Sequence, residues 1–222
     1  MLSMDATSAQ SAPSLTLSTQ VLPFSIGSIP LRPVFHMGGI MGAQVPVYDI
    51  ANHYKSSDSL HSMLVTNEHL GAGLAAGMNP SSLTAKTASL VKNYLTSSTS
   101  APVDFPSNPT ILMRGHGFSC VGVSVEEAVN RAVYTCTNAR VQTTALLMQG
   151  TFNLGSIAER FGAGEKETGP AKHEDIKYLA DRESKDAWQA ISAQSHRPWQ
   201  LWCAEVEASN LYQNDLEAGG ED

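Results

Sequence analysis

The residues best suited to chemistry lie in one stretch, Thr110–Met148, where a histidine stands between two glycines. Gly115 and Gly117 can adopt positive φ angles on either side of His116, so they would hold its imidazole at the tip of a tight turn. Such a histidine is a ligand or catalyst, a turn residue whose ring is incidental, or a polar group satisfied by the backbone. The residues alone leave these three interpretations open.

The surrounding sequence predicts the elements that would position His116. Thr110–Met113 and Phe118–Val123 are short apolar runs bounded by glycine, which is typical of a β-hairpin. Ser124, followed three residues later by Glu127, predicts a capping box at a helix start. Apolar residues then recur mostly at steps of three and four, which predicts a core-facing helical stripe: Val125, Ala128, Val129, Ala132, Val133, Cys136, Ala139, Leu146 and Leu147.

His36 is the second candidate, in the run Val34–Met37. It would either line a cleft together with His116 or be a strand histidine with a backbone partner. Elsewhere the pattern predicts a buried strand at Val21–Ile26, a strand at Val45–Tyr48, and helices at Ser59–Met78 and Ile176–Ser195.

Composition excludes several classes of protein. A chain of 222 residues that is 42% hydrophobic suits one globular α/β domain, and its net charge of −7 argues against nucleic-acid or anionic-membrane partners. Without a long apolar run or a basic, apolar leader, we expect neither a transmembrane helix nor a secretory signal. Cys120, Cys136 and Cys203 are widely spaced in apolar contexts, which favours reduced, buried thiols and a cytoplasmic location.

The central motif resembles the class II aldolase/adducin head-domain family. The resemblance is carried by Arg114-Gly115-His116-Gly117, a β-run ending at Gly122, and Ser124-Val125-Glu126-Glu127-Ala128 before an alanine-rich helix. It extends upstream through VLPFSIGSIPLRPVFHMGGIMGAQVPVYDI (Val21–Ile50) and downstream through IKYLADRESKDAW and RPWQLWCAEVEASNLY. It therefore covers residues 21–213 and points to the metabolic aldolase/decarboxylase-like branch.

The resemblance implies a three-layer α/β/α domain with a mostly antiparallel central sheet, often assembled as a homotetramer with clefts between subunits. It also implies a divalent metal, usually Zn²⁺, held by three histidines, and a carboxylate that moves a proton. Such sites break or form a carbon–carbon bond beside a carbonyl, because the metal polarises the carbonyl oxygen while the base handles the adjacent proton.

Transfer of this site residue by residue keeps one metal ligand, His116, with Arg114 as a substrate-binding candidate and His36 as a catalytic candidate. The family's other two histidines would fall at about Leu15 and Leu17, and no glutamate precedes them. The domain is thus predicted to be N-terminally shortened. A homo-oligomer would not supply the missing ligands, since each subunit lacks them; His36, His53 or His61 would have to enter the cleft.

The predicted organisation is a poorly ordered segment at 1–20, a class II aldolase-like domain at 21–213 with a surface insertion at 79–109, and an acidic tail at 214–222. Three functions follow as hypotheses. In the first, the chain is a zinc-dependent lyase of a specialised biosynthetic pathway that acts by aldol cleavage or decarboxylation on a small oxygenated carbonyl or carboxylate metabolite. Alternatively, it is a metal-free enzyme using His36, His116 and Arg114, or a non-catalytic, adducin-like assembly protein.

Overall fold

The computed structural model describes residues 2–3, 12–79, 105–162, 175–192 and 196–212. Two 3₁₀ helices, the first at His36–Met41 and the second at Ile50–His53, lie among the regular elements. In chain order these are β1 (Leu2–Ser3), α1 (Ala12–Ile26), β2 (Val47–Tyr48), α2 (Glu68–Met78), β3 (Thr110–Met113), β4 (Gly117–Cys120), α3 (Val125–Gly162), α4 (Asp181–Ser192) and α5 (His196–Glu207).

The strands form one sheet in the order β1-β4-β3-β2. The predicted hairpin is confirmed, because β3 and β4 pair antiparallel with Leu112 opposite Phe118. β1 pairs antiparallel with β4, whereas β2 pairs parallel with β3. The sheet is therefore mixed, and the predicted mostly antiparallel sheet is wrong in this respect. The long connection through α2 lets β2 and β3 run in the same direction, which a tight turn cannot do.

Helices cover both faces of the sheet. Leu112 points into a core with residues of α1 and α3, including Phe24 and Cys136. Its neighbours Ile111 and Met113 point the other way, into a core built with α2. This alternation is the period of two that a strand imposes on its side chains. The predicted α/β class is thus confirmed.

The first helix corrects two predictions. Val21–Ile26 lies in α1 rather than in a strand, because a short apolar run fits either element and here the buried positions Val21 and Phe24 follow helical spacing. α1 also begins at Ala12, and Leu2–Ser3 pairs with β4. These parts of the segment 1–20, which is predicted to be poorly ordered, therefore form regular secondary structure. Extending a helix costs little once its first turn has formed.

The second helix begins later than predicted. α2 starts at Glu68 because the Asn67 side chain accepts a hydrogen bond from the Leu70 N–H at 3.1 Å and caps the helix. Asp58, one residue before the predicted start at Ser59, accepts a hydrogen bond from the Lys55 N–H at 2.8 Å and closes a turn. The predicted helix at Ile176–Ser195 is likewise shorter, as α4 spans Asp181–Ser192. Most of the predicted insertion at 79–109, namely residues 80–104, lies outside the described residues. The predicted tail at 214–222 lies outside them as well.

The long helix α3 begins where the sequence predicts. The Glu127 N–H donates to the Ser124 hydroxyl at 3.2 Å, so Ser124 caps the helix. The Glu127 carboxylate, however, binds Arg131. The predicted core-facing stripe is confirmed in part. Ala128, Ala132, Cys136 and Ala139 are buried, but Val125 and Leu147 are exposed.

Polar residues occupy the buried face of α3 as well. The Asn138 amide donates to the Arg32 carbonyl at 2.8 Å and accepts from the Val34 N–H at 3.0 Å. Gln142, one turn later, makes the same pair of bonds to the Pro30 carbonyl and the Arg32 N–H. Two amide side chains therefore bind the extended segment 30–34 as a neighbouring strand would.

Replacing Asn138 with alanine is expected to lower the free energy of unfolding by about 2–4 kcal/mol, because it leaves a backbone donor and acceptor unpaired in a partly buried place. Urea denaturation measures the change. Thr144→Ala is the control, since its exposed hydroxyl bonds only to Arg140 of the same helix, and it should change stability by about 0.5 kcal/mol or less. Equal effects of the two variants would show that the amide bonds to segment 30–34 are dispensable.

Candidate functional site

His116 lies in the β3–β4 turn. Met113 and Gly117 are the last paired residues of the hairpin, and the His116 N–H donates to the Met113 carbonyl at 3.0 Å. Gly115 has φ 75° and Gly117 has φ 155°, so both glycines that flank the histidine adopt positive φ, as the sequence predicts. The half-buried imidazole is therefore held by a rigid turn between two paired strands.

Arg114 is fixed by a carboxylate that the sequence analysis missed. The backbone N–H of Arg114 donates to the Tyr48 carbonyl at 3.0 Å, and the side-chain Nε of Arg114 donates to Asp49 Oδ1 at 2.6 Å. The bond from Arg114 lowers the pKa of Asp49 below its ordinary value, so the carboxylate is ionised at neutral pH. Asp49 follows β2 directly, and the position of an acidic residue just after a strand was the signal that could have identified it.

Helix α1 holds the same turn from the other side. The Gly115 N–H donates to the Ser25 hydroxyl at 3.2 Å, and that hydroxyl donates to the Leu22 carbonyl at 2.9 Å. Ser25 is buried. The turn is thus braced by α1 and by the segment after β2, which are far apart in sequence.

A small cleft opens beside this turn. His116 and Arg114 line it together with Tyr48, Ile50, Met63, Val65 and Met113. Its volume is about 10 Å³, which is about the space that one water molecule needs. Arg114 and His116 thus line the same cleft, which is closed by the segment containing Met63 and Val65.

His36 lies at a different cavity. It is exposed at the start of the first 3₁₀ helix and lines a space of about 640 Å³ that is also bordered by α3, α4 and α5. Asn130 of α3, a residue that the sequence analysis missed, lines the same space. A polar residue on the buried face of a helix was the available signal. The structure therefore does not bring His36 and His116 into one cleft.

The other histidines proposed to complete a metal site have different neighbours. His53 packs on Tyr48 with ring centroids 4.8 Å apart, and His61 stacks on Tyr54 at 4.0 Å. Within the described ranges, no three residues of the types His, Cys, Asp and Glu come together in a way that could hold a metal ion. The Asp49 carboxylate, which contacts the cleft residue Arg114, is already paired with that arginine. The described residues by themselves therefore do not fit the zinc site that the resemblance implies.

Two of the three cysteines, Cys120 and Cys136, are not suited to nucleophilic chemistry. Cys120, Cys136 and Cys203 are free thiols, the first two buried and the third half-buried. Burial raises the pKa of Cys120 to about 11 and that of Cys136 to about 12, so both are protonated at neutral pH. The prediction of reduced thiols is confirmed for all three, and that of burial for two.

None of the helices in the described part of the chain, not even the 38-residue α3, combines the length and the apolar character needed to cross a bilayer. The cytoplasmic location and the absence of nucleic-acid and membrane partners stay predictions.

Comparison with known proteins gives one informative similarity. No family model matches the sequence. The chain is 35% identical over 198 residues to the protein named decarboxylase tropJ from Talaromyces stipitatus. The matched region covers 89% of this chain and 61% of that protein, so the chain spans about three-fifths of the length of the curated relative it matches. The similarity to a protein named as a decarboxylase thus extends over nearly the whole chain.

Proposed function

We propose that the chain acts as a class II aldolase-like lyase that decarboxylates a small oxygenated carbonyl or carboxylate metabolite. The observation that carries the proposal is the pairing of His116 and Arg114 in one cleft, each held by the β3–β4 turn. The name of the relative favours decarboxylation over aldol cleavage, which the motif alone does not distinguish. A role in a specialised pathway is part of the same proposal.

Arg114 would bind the substrate. The Arg114 Nε donates a hydrogen bond to Asp49, and this bond fixes the plane of the guanidinium. The terminal nitrogens would then bind a carboxylate or carbonyl oxygen of the substrate. Asp49 would act as a positioning residue, because it contacts Arg114 and not the reacting atoms. A guanidinium held in this way loses little side-chain freedom when it binds an oxyanion.

His116 would move the proton. In the proposed step the bond to the carboxylate carbon breaks, CO₂ leaves, and the electron pair moves into the adjacent carbonyl to give an enolate. Protonated His116 then donates its proton to the carbon that lost CO₂, and solvent restores the proton. Arg114 stabilises the negative charge on the enolate oxygen. No step passes through a metal, because the described residues do not form a zinc site.

The cleft must open for this chemistry. Its volume of about 10 Å³ admits no metabolite, so the proposal requires the segment around Met63 to move outward. Met63 has φ 65°, an uncommon conformation for a residue with a side chain, and the Met63 methyl group lies near Gly115. Movement of this segment would expose His116 and Arg114 together.

The experiment that tests the proposal is incubation of a panel of small β-keto carboxylic acids, with and without hydroxyl groups, in D₂O, each with the full chain and without it. We expect at least one acid to release CO₂ faster with the chain than without it and to give a product that carries deuterium at the carbon that lost the carboxylate. Incorporation follows from proton transfer through an exchangeable group such as His116. If no acid in the panel loses CO₂ faster with the chain than without it, the proposed reaction is wrong for this chain.

A non-catalytic, adducin-like assembly role is the second candidate. The later turns of α3 expose large apolar side chains, with Leu147, Met148, Phe152 and Leu154 between 67% and 71% exposed. Exposed apolar patches often mark contact surfaces between proteins. A homo-oligomer in light scattering that Phe152→Glu dissociates, with no turnover of any acid in the panel, would favour this candidate.

A further inference from the structure

The second half of α3 exposes large apolar side chains on a face turned away from the core. Leu146 still packs against the core that α3 shares with α1 and the sheet. Leu147, Met148, Phe152 and Leu154 are instead between 67% and 71% exposed. Four such residues within about two helical turns form a patch, whereas single exposed apolar residues are common on any surface.

No charged residue interrupts this part of α3. Between Arg140 and Glu159 the sequence contains no Asp, Glu, Lys or Arg, so about five turns of the helix carry no charge. A helix face that meets water normally carries charged side chains, and an apolar, uncharged one is typical of a helix that is covered. The composition of this segment therefore suits an interface better than a free surface.

The threonine hydroxyls on the same face already have hydrogen-bond partners within the helix. Thr144 Oγ1 donates to the Arg140 carbonyl at 3.0 Å, and Thr151 Oγ1 donates to the Leu147 carbonyl at 2.9 Å. Covering a polar group is costly when the group loses its hydrogen bonds to water without replacement. Because these two hydroxyls keep their partners, a neighbouring molecule covers them at little cost.

Small residues lie along the centre of this face, and large ones lie at its edges. Residues three and four positions apart are neighbours on a helix, so exposed Thr151 lies among Leu147, Met148 and Leu154. Gly155 follows one turn later, and a Cβ at that position would meet no atom within 4 Å. The face is thus a shallow groove with apolar edges, a shape that a second helix fits.

Charge favours a second copy of this chain as the occupant. The chain has a net charge of −7, so two copies repel each other over their charged surfaces. The uncharged half of α3 is a surface on which two copies approach without that repulsion. A membrane surface is disfavoured as the occupant, because helices that lie on membranes carry Lys or Arg on their polar side and this segment has none.

The exposed area agrees with a dimer interface. A fully exposed side chain of this size has on the order of 150–250 Å² of accessible surface, so the four large residues offer roughly 400–700 Å² per copy. A standard interface buries about 800 Å² per partner. The four side chains supply most of that area, and the threonines and Gly155 between them add to it.

We propose that this face of α3, which consists of Thr144, Leu147, Met148, Thr151, Phe152, Leu154 and Gly155, binds the same face of a second copy. The two helices cross at Thr151 in a twofold dimer, so that small residues meet at the axis and the large side chains close around them. The interface does not depend on the proposed lyase activity, because an enzyme and an assembly protein are equally able to form it.

Sedimentation velocity of the full chain at about 1–100 μM tests the proposal. We expect a dimer of twice the chain mass of 23.7 kDa. Thr151→Arg places two like charges against each other at the axis and should weaken the dimer at least about 100-fold. Val123→Arg is the matched control, since Val123 is exposed before the start of α3, and it should leave the dimer unchanged.

Two results would overturn the proposal. One is a monomer over the whole concentration range, which would mean that another protein, or residues 80–104 of this chain, covers the face. The other is a dimer that Thr151→Arg weakens no more than Val123→Arg does. Thr151 is exposed, so the variant should keep the circular dichroism of the unmodified chain. Leu154→Glu tests the same face if Thr151→Arg does not fold.

Disulfide cross-linking tests the twofold arrangement itself. In the proposed dimer the two copies of residue 151 face each other, so Thr151→Cys should form an intermolecular disulfide on mild oxidation, which requires Cα atoms about 4.4–6.8 Å apart. Val123→Cys and the unmodified chain, which contains the half-buried Cys203, are the controls. Equal cross-linking of all three chains would show random collision and would contradict a crossing at Thr151.

Discussion

His116→Ala is expected to lower kcat for CO₂ release by about 100-fold or more while leaving the chain folded. A positioned general acid contributes roughly 10²–10⁴ to a rate, and in the proposed step His116 is the group that protonates the carbon. The half-buried imidazole makes no side-chain hydrogen bond within the described residues, so its loss should change the free energy of unfolding by about 1 kcal/mol or less. Steady-state kinetics and urea denaturation of the same preparation measure both quantities.

Added imidazole distinguishes proton transfer from a structural effect. If His116 transfers the proton, free imidazole should restore part of the activity of His116→Ala, because the cavity left by the side chain can admit it. His196→Gln is the matched control, since this histidine is exposed at the start of α5 and lies outside both cavities. Its kcat should equal that of the unmodified chain.

His36→Ala decides which cavity carries the reaction. From the sequence, His36 either shares a cleft with His116 or is a strand histidine, and the structure puts the two histidines at separate cavities. If the chemistry occurs at the β3–β4 turn, His36→Ala should retain most of the activity. Loss of activity in His36→Ala with full activity in His116→Ala would move the reaction to the larger cavity and contradict the proposed mechanism.

Local features of the turn were predictable because they depend on neighbouring residues. Glycine is the residue that best tolerates positive φ, so Gly115-His116-Gly117 determines the turn, and Ser124 determines the start of α3 by hydrogen bonding within one helical turn. The exact start of α2 was missed because the Asn67 side chain caps the helix inside a stretch whose apolar spacing is helical from Ser59 onward. Competing side-chain bonds of this kind are hard to rank from sequence.

Contacts between distant residues were not predictable in the same way. Asp49 and Arg114 are 65 residues apart, and nothing in the spacing of either residue indicates the other. The parallel pairing of β2 with β3 and the separation of His36 from His116 also depend on how helices cross the sheet. Hydrophobic spacing predicted the buried face of α3 only in part, since Asn130, Arg131, Asn138 and Gln142 lie on that face as well.

Glu127→Ala is expected to destabilise the fold by about 3–5 kcal/mol. Arg131 is only 2% exposed, its Nη2 donates to Glu127 Oε1 at 2.6 Å, and its Nη1 donates to the Ile40 carbonyl. Burial lowers the pKa of Arg131, and the hydrogen bond that Arg131 donates to Glu127 opposes that change. Removal of the carboxylate leaves a buried guanidinium without a counter-charge, which is among the costliest single changes in a protein interior. Urea denaturation at neutral pH measures the loss.

The aromatic neighbours of Arg131 indicate that an apolar side chain could replace this arginine. A second substitution at Arg131 should therefore offset part of the stability lost with Glu127. The guanidinium carbon lies 4.9 Å from the centroid of Trp188 and 5.7 Å from that of Phe105, so an apolar side chain at this position would still have packing partners. The double variant Glu127→Leu/Arg131→Met should therefore be less destabilised than Glu127→Ala alone, because a buried ion pair can be replaced by apolar residues at little cost. A double-mutant cycle gives the coupling energy between the two positions.

The exposed ion pair of α4, Arg182 with Asp186, is the control for Glu127→Ala. Arg182 and Asp186 are also four residues apart on a helix but are open to solvent, so Asp186→Ala should cost about 0.5 kcal/mol or less. If Glu127→Ala cost no more than Asp186→Ala, Arg131 could not depend on Glu127 for its charge. The Arg131 bond to Ile40, which joins α3 to the first 3₁₀ helix, would then have to hold the guanidinium without a counter-charge. A large difference would instead show that the buried Arg131 depends on Glu127 for its counter-charge.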